Sequence, residues 1–166
     1  MHRNLLEQAR HLVRREPRRP RQASLRRAVS TAYYALFHFL IDRACRQVFG
    51  GSTRRRQARL ILSRAFVHGT MQAASRRVGG GNLPVTLSWA AGFAPELQAI
   101  ARAFVRLQEQ RHRADYDLSQ PYSRTEAAEL VELAGTAIND WGAVADDDSA
   151  HLYLVLLLTW KSLEQR

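Results

Sequence analysis

Apolar residues recur at helical spacing along nearly the whole chain, and nowhere in a convincing run of the alternation that marks a strand face. Residues 2–15 place Leu5, Leu6, Ala9, Leu12 and Val13 on one side, which predicts a short amphipathic helix ending before Glu16 and Pro17. The connector 14–21, RREPRRPR, holds two prolines and five arginines and reads as extended and exposed: a solvated charge run or an anion contact. Residues 24–48 lack both Gly and Pro, carry the stripe Leu25, Val29, Ala32, Leu36 and Phe39, and offer Ser24 as an N-cap. The other side of this helix is aromatic or apolar too, with Arg27, Tyr34, His38 and Cys45 flanked by Phe37 and Ile41, so the helix is expected to be central or to lie at an interface. Gly50 and Gly51 follow as a C-cap and turn.

A further helix is predicted over 54–78, with His68 and Gly69 as its weak point. Gly79, Gly80 and Gly81 open a segment, about 78–92, expected to be a flexible loop; no Gly-Lys-Ser/Thr follows them, which excludes a P-loop. After Pro95 the pattern predicts a helix with Leu97, Ile100, Ala101, Phe104 and Leu107 on one face, stopped before Pro121. Ser123 and Glu126 form a capping-box pair that opens a helix through Leu130, Leu133, Ala134, Ala137, Ile138 and Trp141. Asp146, Asp147 and Asp148 place negative charge at the start of a last helix, from residue 150 to about 163, that is apolar on several sides. The expected class is all-α: a single domain over residues 1–166, built as a bundle of five or six helices.

The predicted helix after Pro95 ends in RHRADY, residues 111–116, where polar groups occupy the continuation of the apolar face. At about 100° per residue, Arg111, His112 and Asp115 fall on or beside the stripe of Leu97, Ile100 and Phe104, while Arg102, Arg106 and Arg113 fall roughly opposite. A guanidinium on such a face needs a carboxylate, a carbonyl, a phosphate or a cleft to offset its desolvation. Asp115, one turn on, is a structural partner for Arg111; a buried ion pair that locks the helix end therefore stands beside a functional site as a reading of the motif.

Composition narrows the field. The single cysteine, Cys45, excludes an intramolecular disulfide and a cysteine-based zinc site, and an Arg-rich N-terminus without an apolar stretch predicts no secretory signal; both suit a cytoplasmic protein. The longest apolar run, residues 152–158, is far too short for a membrane span, so no membrane partner is expected. The net charge of +10 is unevenly placed: residues 1–113 hold 22 arginines against 5 acids, and residues 114–166 hold 3 basic against 10 acidic residues. Such a dipolar chain suits binding of a polyanion or head-to-tail pairing with itself, although 24 of the 25 basic residues being Arg also fits the codon bias of a GC-rich genome. The six histidines form no zinc pattern and no Gly-x-Ser-x-Gly elbow is present, so neither a metal, another cofactor nor a serine nucleophile is expected.

The run RRAVSTAYYALFHFL (26–40), then His68 and Gly69, LQEQRHRADYDL (107–118) and YSRTEAAELVELAGTAINDW (122–141) together resemble the HEPN domain. The resemblance is strongest to bacterial HEPN-like proteins with an Arg-(Asn/His)-x-Ala-Asp-Tyr signature. It implies an up-and-down helical bundle, a homodimer with the signatures meeting at its interface, and, in active members, metal-independent ribonuclease chemistry. A nucleotidyltransferase-like antitoxin partner and a toxin–antitoxin or defence setting follow from the same resemblance. Active members follow the arginine with a histidine after four to six residues; here Tyr116 stands at that point and no histidine follows until His151. Arg106 and His112 satisfy the spacing but point about 120° apart. The resemblance therefore implies Arg111, His112 and Tyr116 as catalytic candidates. Arg111, Arg113, Arg27, Tyr34 and His38 are candidates for contacts to RNA or a nucleotide phosphate. Two functions remain open: an RNA- or nucleotide-binding interaction protein with a degenerate motif, and an endoribonuclease acting at a dimer interface.

Overall fold

In a computed structural model, described for residues 1–81 and 92–164, the chain is all-helical, with seven α-helices, one 3₁₀ turn and no strand among the described residues. The helices are α1 (His2–Arg14), α2 (Gln22–Phe49), α3 (Arg56–Ser63), α4 (His68–Gly79), α5 (Pro95–Tyr116), α6 (Arg124–Val144) and α7 (Asp148–Glu164). Seven replace the expected five or six because the segment 54–78 divides. The break lies a few residues before His68: the chain leaves helical geometry after Ser63, and Val67 is extended, so His68 and Gly69 open α4 rather than interrupt it.

The residues group into two compact units, Met1–His38 with Ala103–Asn139 and Phe39–Arg102 with Asp140–Arg166, to which α2, α5 and α6 each contribute in part. In the first unit much of the predicted stripes is buried, namely Ala9, Leu12 and Val13 of α1, Leu25, Val29, Ala32 and Leu36 of α2, Phe104 and Leu107 of α5, and Leu130, Ala134 and Ala137 of α6, while Leu5, Leu6, Leu133 and Ile138 are half-buried; Tyr33, Ala127 and Val131 join the core beside them. Ser24 is not the N-cap of α2, which begins two residues earlier; its hydroxyl donates to the Glu16 carboxylate at 2.9 Å. Glu16 also accepts from Arg124 through its carbonyl, so the Arg-rich connector is tied down at this one residue while Arg18 and Arg19 stay exposed.

In the second unit α4 packs against α7, and Ser75 shares a buried hydrogen bond of 2.8 Å with Tyr153. Met71, Ala74, Val78, Leu97, Ile100, Trp141, Leu156 and Leu157 make its core, and Cys45 is buried, as its place in an apolar helix implied. Gly79 is helical rather than part of a loop: a Cβ there would sit 2.9 Å from Cγ of Arg102, whose guanidinium donates to the Gly79 carbonyl at 2.8 Å. Most of the expected flexible loop, residues 82–91, lies outside the described residues. Among the described residues no helix is long and apolar enough to cross a membrane.

Candidate functional site

RHRADY forms the last turn and a half of α5 in the first unit; Ala114 is buried, and of the motif's charged groups Arg111 is the one set inward beside it. The buried stripe Ile100, Phe104, Leu107 and Ala114 brackets Arg111, whose side chain keeps 21% of its exposure. Its Nη2 donates to the Tyr34 hydroxyl of α2 at 2.9 Å, and its carbon Cζ lies 5.5 Å from the Tyr34 ring centroid and 5.9 Å from that of Tyr116. Nε stands 2.8 Å from Asp115 Oδ2, yet the N–H does not point along that contact and Nε has no hydrogen bond of its own. The pair is therefore a charge contact at the rim of the unit, not a sealed ion pair. At this exposure an i,i+4 pair contributes only about 0.3–0.5 kcal/mol. Burial opposes the charge on Arg111, but Tyr34 and Asp115 outweigh it and hold the guanidinium above its ordinary pKa.

The other expected site residues divide. His112 and Asp115 are exposed, where the face reading turned them inward; α5 ends at Tyr116, so no further turn covers that side. His112 packs instead on Tyr116, ring centroids 4.9 Å apart, with Tyr116 itself 67% exposed. Tyr34 and His38, one turn apart on α2, are half-buried and stacked, their rings 6.2 Å apart, so Tyr34 links His38 to Arg111. Arg113 is half-buried, its guanidinium 4.9 Å from the Tyr122 ring centroid, rather than directed away as its helical angle implied. Arg27 is exposed and makes no hydrogen bond or ion pair among the described residues. The structure thus brings together Arg111, Tyr34, His38, Asp115, His112 and Tyr116, and leaves Arg27 and Arg113 outside.

Two residues that hold this end of α5 carried no signal in the sequence pattern. A helix leaves its last carbonyls without intrahelical donors. Arg26 supplies them from α2: Nη1 donates to the carbonyls of Asp117 at 2.6 Å and Ala114 at 3.1 Å and approaches that of Arg113 at 3.4 Å, while Nη2 donates to Gln120 at 2.7 Å. Tyr122 is buried to 2% exposure and its backbone N–H and carbonyl pair with the Gln22 amide at 2.8 and 2.7 Å. Its hydroxyl reaches Gln110 of α5 at 2.9 Å, and burial pushes the phenol pKa up despite nearby Arg113 and Arg26.

Chemically, one turn of helix presents a guanidinium, a phenol and an imidazole at a partly open surface, with a second phenol behind. These are donors suited to a phosphate. Among the described residues no three His, Cys, Asp or Glu side chains are placed to hold a metal ion. Compared with family models, curated proteins and solved structures, the chain matches none of them.

Proposed function

We propose that this chain is a HEPN-like RNA- or nucleotide-binding protein, a single-domain up-and-down bundle that acts as a homodimer, in which RHRADY faces phosphate and no longer cleaves. The observation that carries this reading is the placement of Arg111 on an otherwise apolar stripe, oriented by Tyr34 rather than sealed by Asp115. A purely structural arginine would use its donors internally, as Arg26 does on four carbonyls. Arg111 instead spends one Nη group on the Tyr34 hydroxyl and lies 5.9 Å from the ring of the exposed Tyr116. The absence of a histidine at the catalytic spacing argues for binding over cleavage, since histidine is the usual general base for such a step and Tyr116 stands in its place. A cytoplasmic setting and a nucleotidyltransferase-like antitoxin partner belong to the same proposal.

The test is incubation of the purified protein with total RNA in EDTA, beside a binding titration, for wild type and Arg111→Ala. Binding without cleavage by wild type, weakened about tenfold in a folded Arg111→Ala variant, is the expected result for a charge-assisted phosphate contact. Cleavage by wild type that disappears in Arg111→Ala would convert the reading to a metal-independent endoribonuclease with His112 as base. Unchanged binding in Arg111→Ala would remove the site.

A further inference from the structure

Several arginines of the first unit meet a carboxylate or cap a helix end, whereas those between residues 54 and 64 of the second meet no carboxylate among the described residues. Arg10 pairs with Glu132 at 2.9 Å, Arg26 caps α5 and Arg111 meets Asp115. In contrast, Arg54, Arg55, Arg56, Arg59 and Arg64 have no carboxylate within ion-pair distance among the described residues. The nearby acid Asp42 is already engaged by Arg46 at 2.7 Å and Arg43 at 3.8 Å. Like charges this close repel one another, and only solvent and salt screen them.

The backbone around them is built to hold these cations in place. Gly50 ends α2 at φ +67°, a conformation that side chains disfavour, and turns the chain sharply into Gly51 and Ser52. Arg59 Nη1 donates to the carbonyls of Gly50 at 2.8 Å and Ser52 at 2.9 Å, and Arg55 reaches the Phe49 carbonyl at 3.4 Å. These bonds order two guanidiniums while leaving each of them other N–H donors, so a ligand meets them with part of the side-chain entropy already lost. A cavity of about 690 Å³ opens at this corner, lined by Phe49, Gly50, Gly51, Ser52, Arg54 and Arg55. That volume falls within the range of small-molecule sites, and the half-buried Phe49 ring at its edge is the kind of surface on which a base stacks. α3 buries none of its residues, so nothing in the core requires this density of charge.

We propose that this corner, from the end of α2 through Arg59, is a second phosphate-binding surface that takes the backbone of single-stranded RNA, with Phe49 stacking a base. It rests on the RNA-binding reading above for the chemistry of its ligand, but on none of its residues.

The experiment is fluorescence anisotropy of labelled oligouridylate against the full chain as salt rises from about 50 to 200 mM. It uses wild type, a triple Arg54→Ser, Arg55→Ser, Arg56→Ser variant, its Lys counterpart and Arg111→Ala, each checked for helix content by circular dichroism. The triple Ser variant is expected to bind about tenfold more weakly at low salt, with a log–log salt slope smaller by about two, while the Lys variant keeps the wild-type slope. Wild-type slope and affinity in the triple Ser variant would overturn the proposal, whatever Arg111→Ala does. Loss in the triple Ser variant with unchanged binding by Arg111→Ala supports this corner and sinks the Arg111 site instead. If wild type ignores RNA but binds phosphatidylglycerol vesicles through these arginines, the surface is lipid-facing and the proposal is wrong.

Discussion

Arg26 reaches four carbonyls from a different helix, and two of those acceptors, Ala114 and Asp117, flank the end of RHRADY. Its Nη1 carries two hydrogens and faces three carbonyls; Asp117 and Ala114 take the shorter bonds, and the Arg113 carbonyl already accepts from the Asp117 N–H at 3.0 Å. The planar fork is what makes this possible, since Nη2 can serve Gln120 at the same time. A lysine ammonium is a point donor and cannot span the set. Arg26→Lys is therefore expected to destabilise the fold by about 1.5–3 kcal/mol, the range for hydrogen bonds to a charged group. Thermal unfolding measures the loss, and hydrogen exchange should quicken at residues 113–120 and not in α7. Equal melting of the Lys variant and wild type would show that these carbonyls are satisfied without the guanidinium. The consequence reaches the site, because Arg111 is positioned by the same end of α5.

At the scale of the element, the start of α6 was readable from two residues and the end of α5 was not. Ser123 accepts from the Glu126 N–H at 3.1 Å, and the Glu126 carboxylate accepts from the Ser123 N–H at 2.8 Å, the reciprocal pair expected from the spacing alone. The bond from the Ser123 N–H, with the nearby Ser123 hydroxyl, favours the charged form and holds the Glu126 carboxyl below its ordinary pKa. A lowered folded-state pKa gives stability that is complete above the unfolded value and is lost as pH falls through the folded one. Ser123→Ala should cost about 1 kcal/mol near neutral pH. Glu126→Gln, which keeps an acceptor for the Ser123 N–H but not the charge, should lose stability less steeply than wild type on acidification, as a pH series of thermal melts would register. Capping boxes, apolar stripes and glycine stops are local, which is why α1, α2, α5, α6 and α7 were legible to within a few residues. The break between α3 and α4 was misplaced because no Gly or Pro marks residues 64–67. Arg111 was legible because it interrupts a stripe, whereas its Tyr34 bond spans 77 residues and the Arg26 cap rests on backbone acceptors, which have no residue-type signature. His112 was misassigned because it lies about 100° from the centre of the buried stripe, at an angle that only a longer α5 would cover.

For the molecule as a whole, the charge asymmetry along the chain does not survive folding. The acidic stretch after residue 113 is divided, with residues 114–139 in the first unit and 140–166 in the second. The first unit then holds 13 basic and 8 acidic residues and the second 12 and 7, so both carry the same net charge, +5. A chain that looked dipolar, and able to pair head to tail with itself, is instead basic in both units. Two copies approaching one another therefore repel at low ionic strength, and salt relieves the repulsion as the Debye length shortens from about 30 Å at 0.01 M to about 10 Å at 0.1 M. The proposed homodimer must be held by apolar and hydrogen-bonded contact against this field. Its dissociation constant, followed by sedimentation equilibrium, should accordingly fall as salt rises, while RNA affinity measured on the same preparation falls in the opposite sense. A dimer that weakens with salt would mean that opposite charges do meet across the interface, and that the segregation along the chain, not its division between the units, governs self-association.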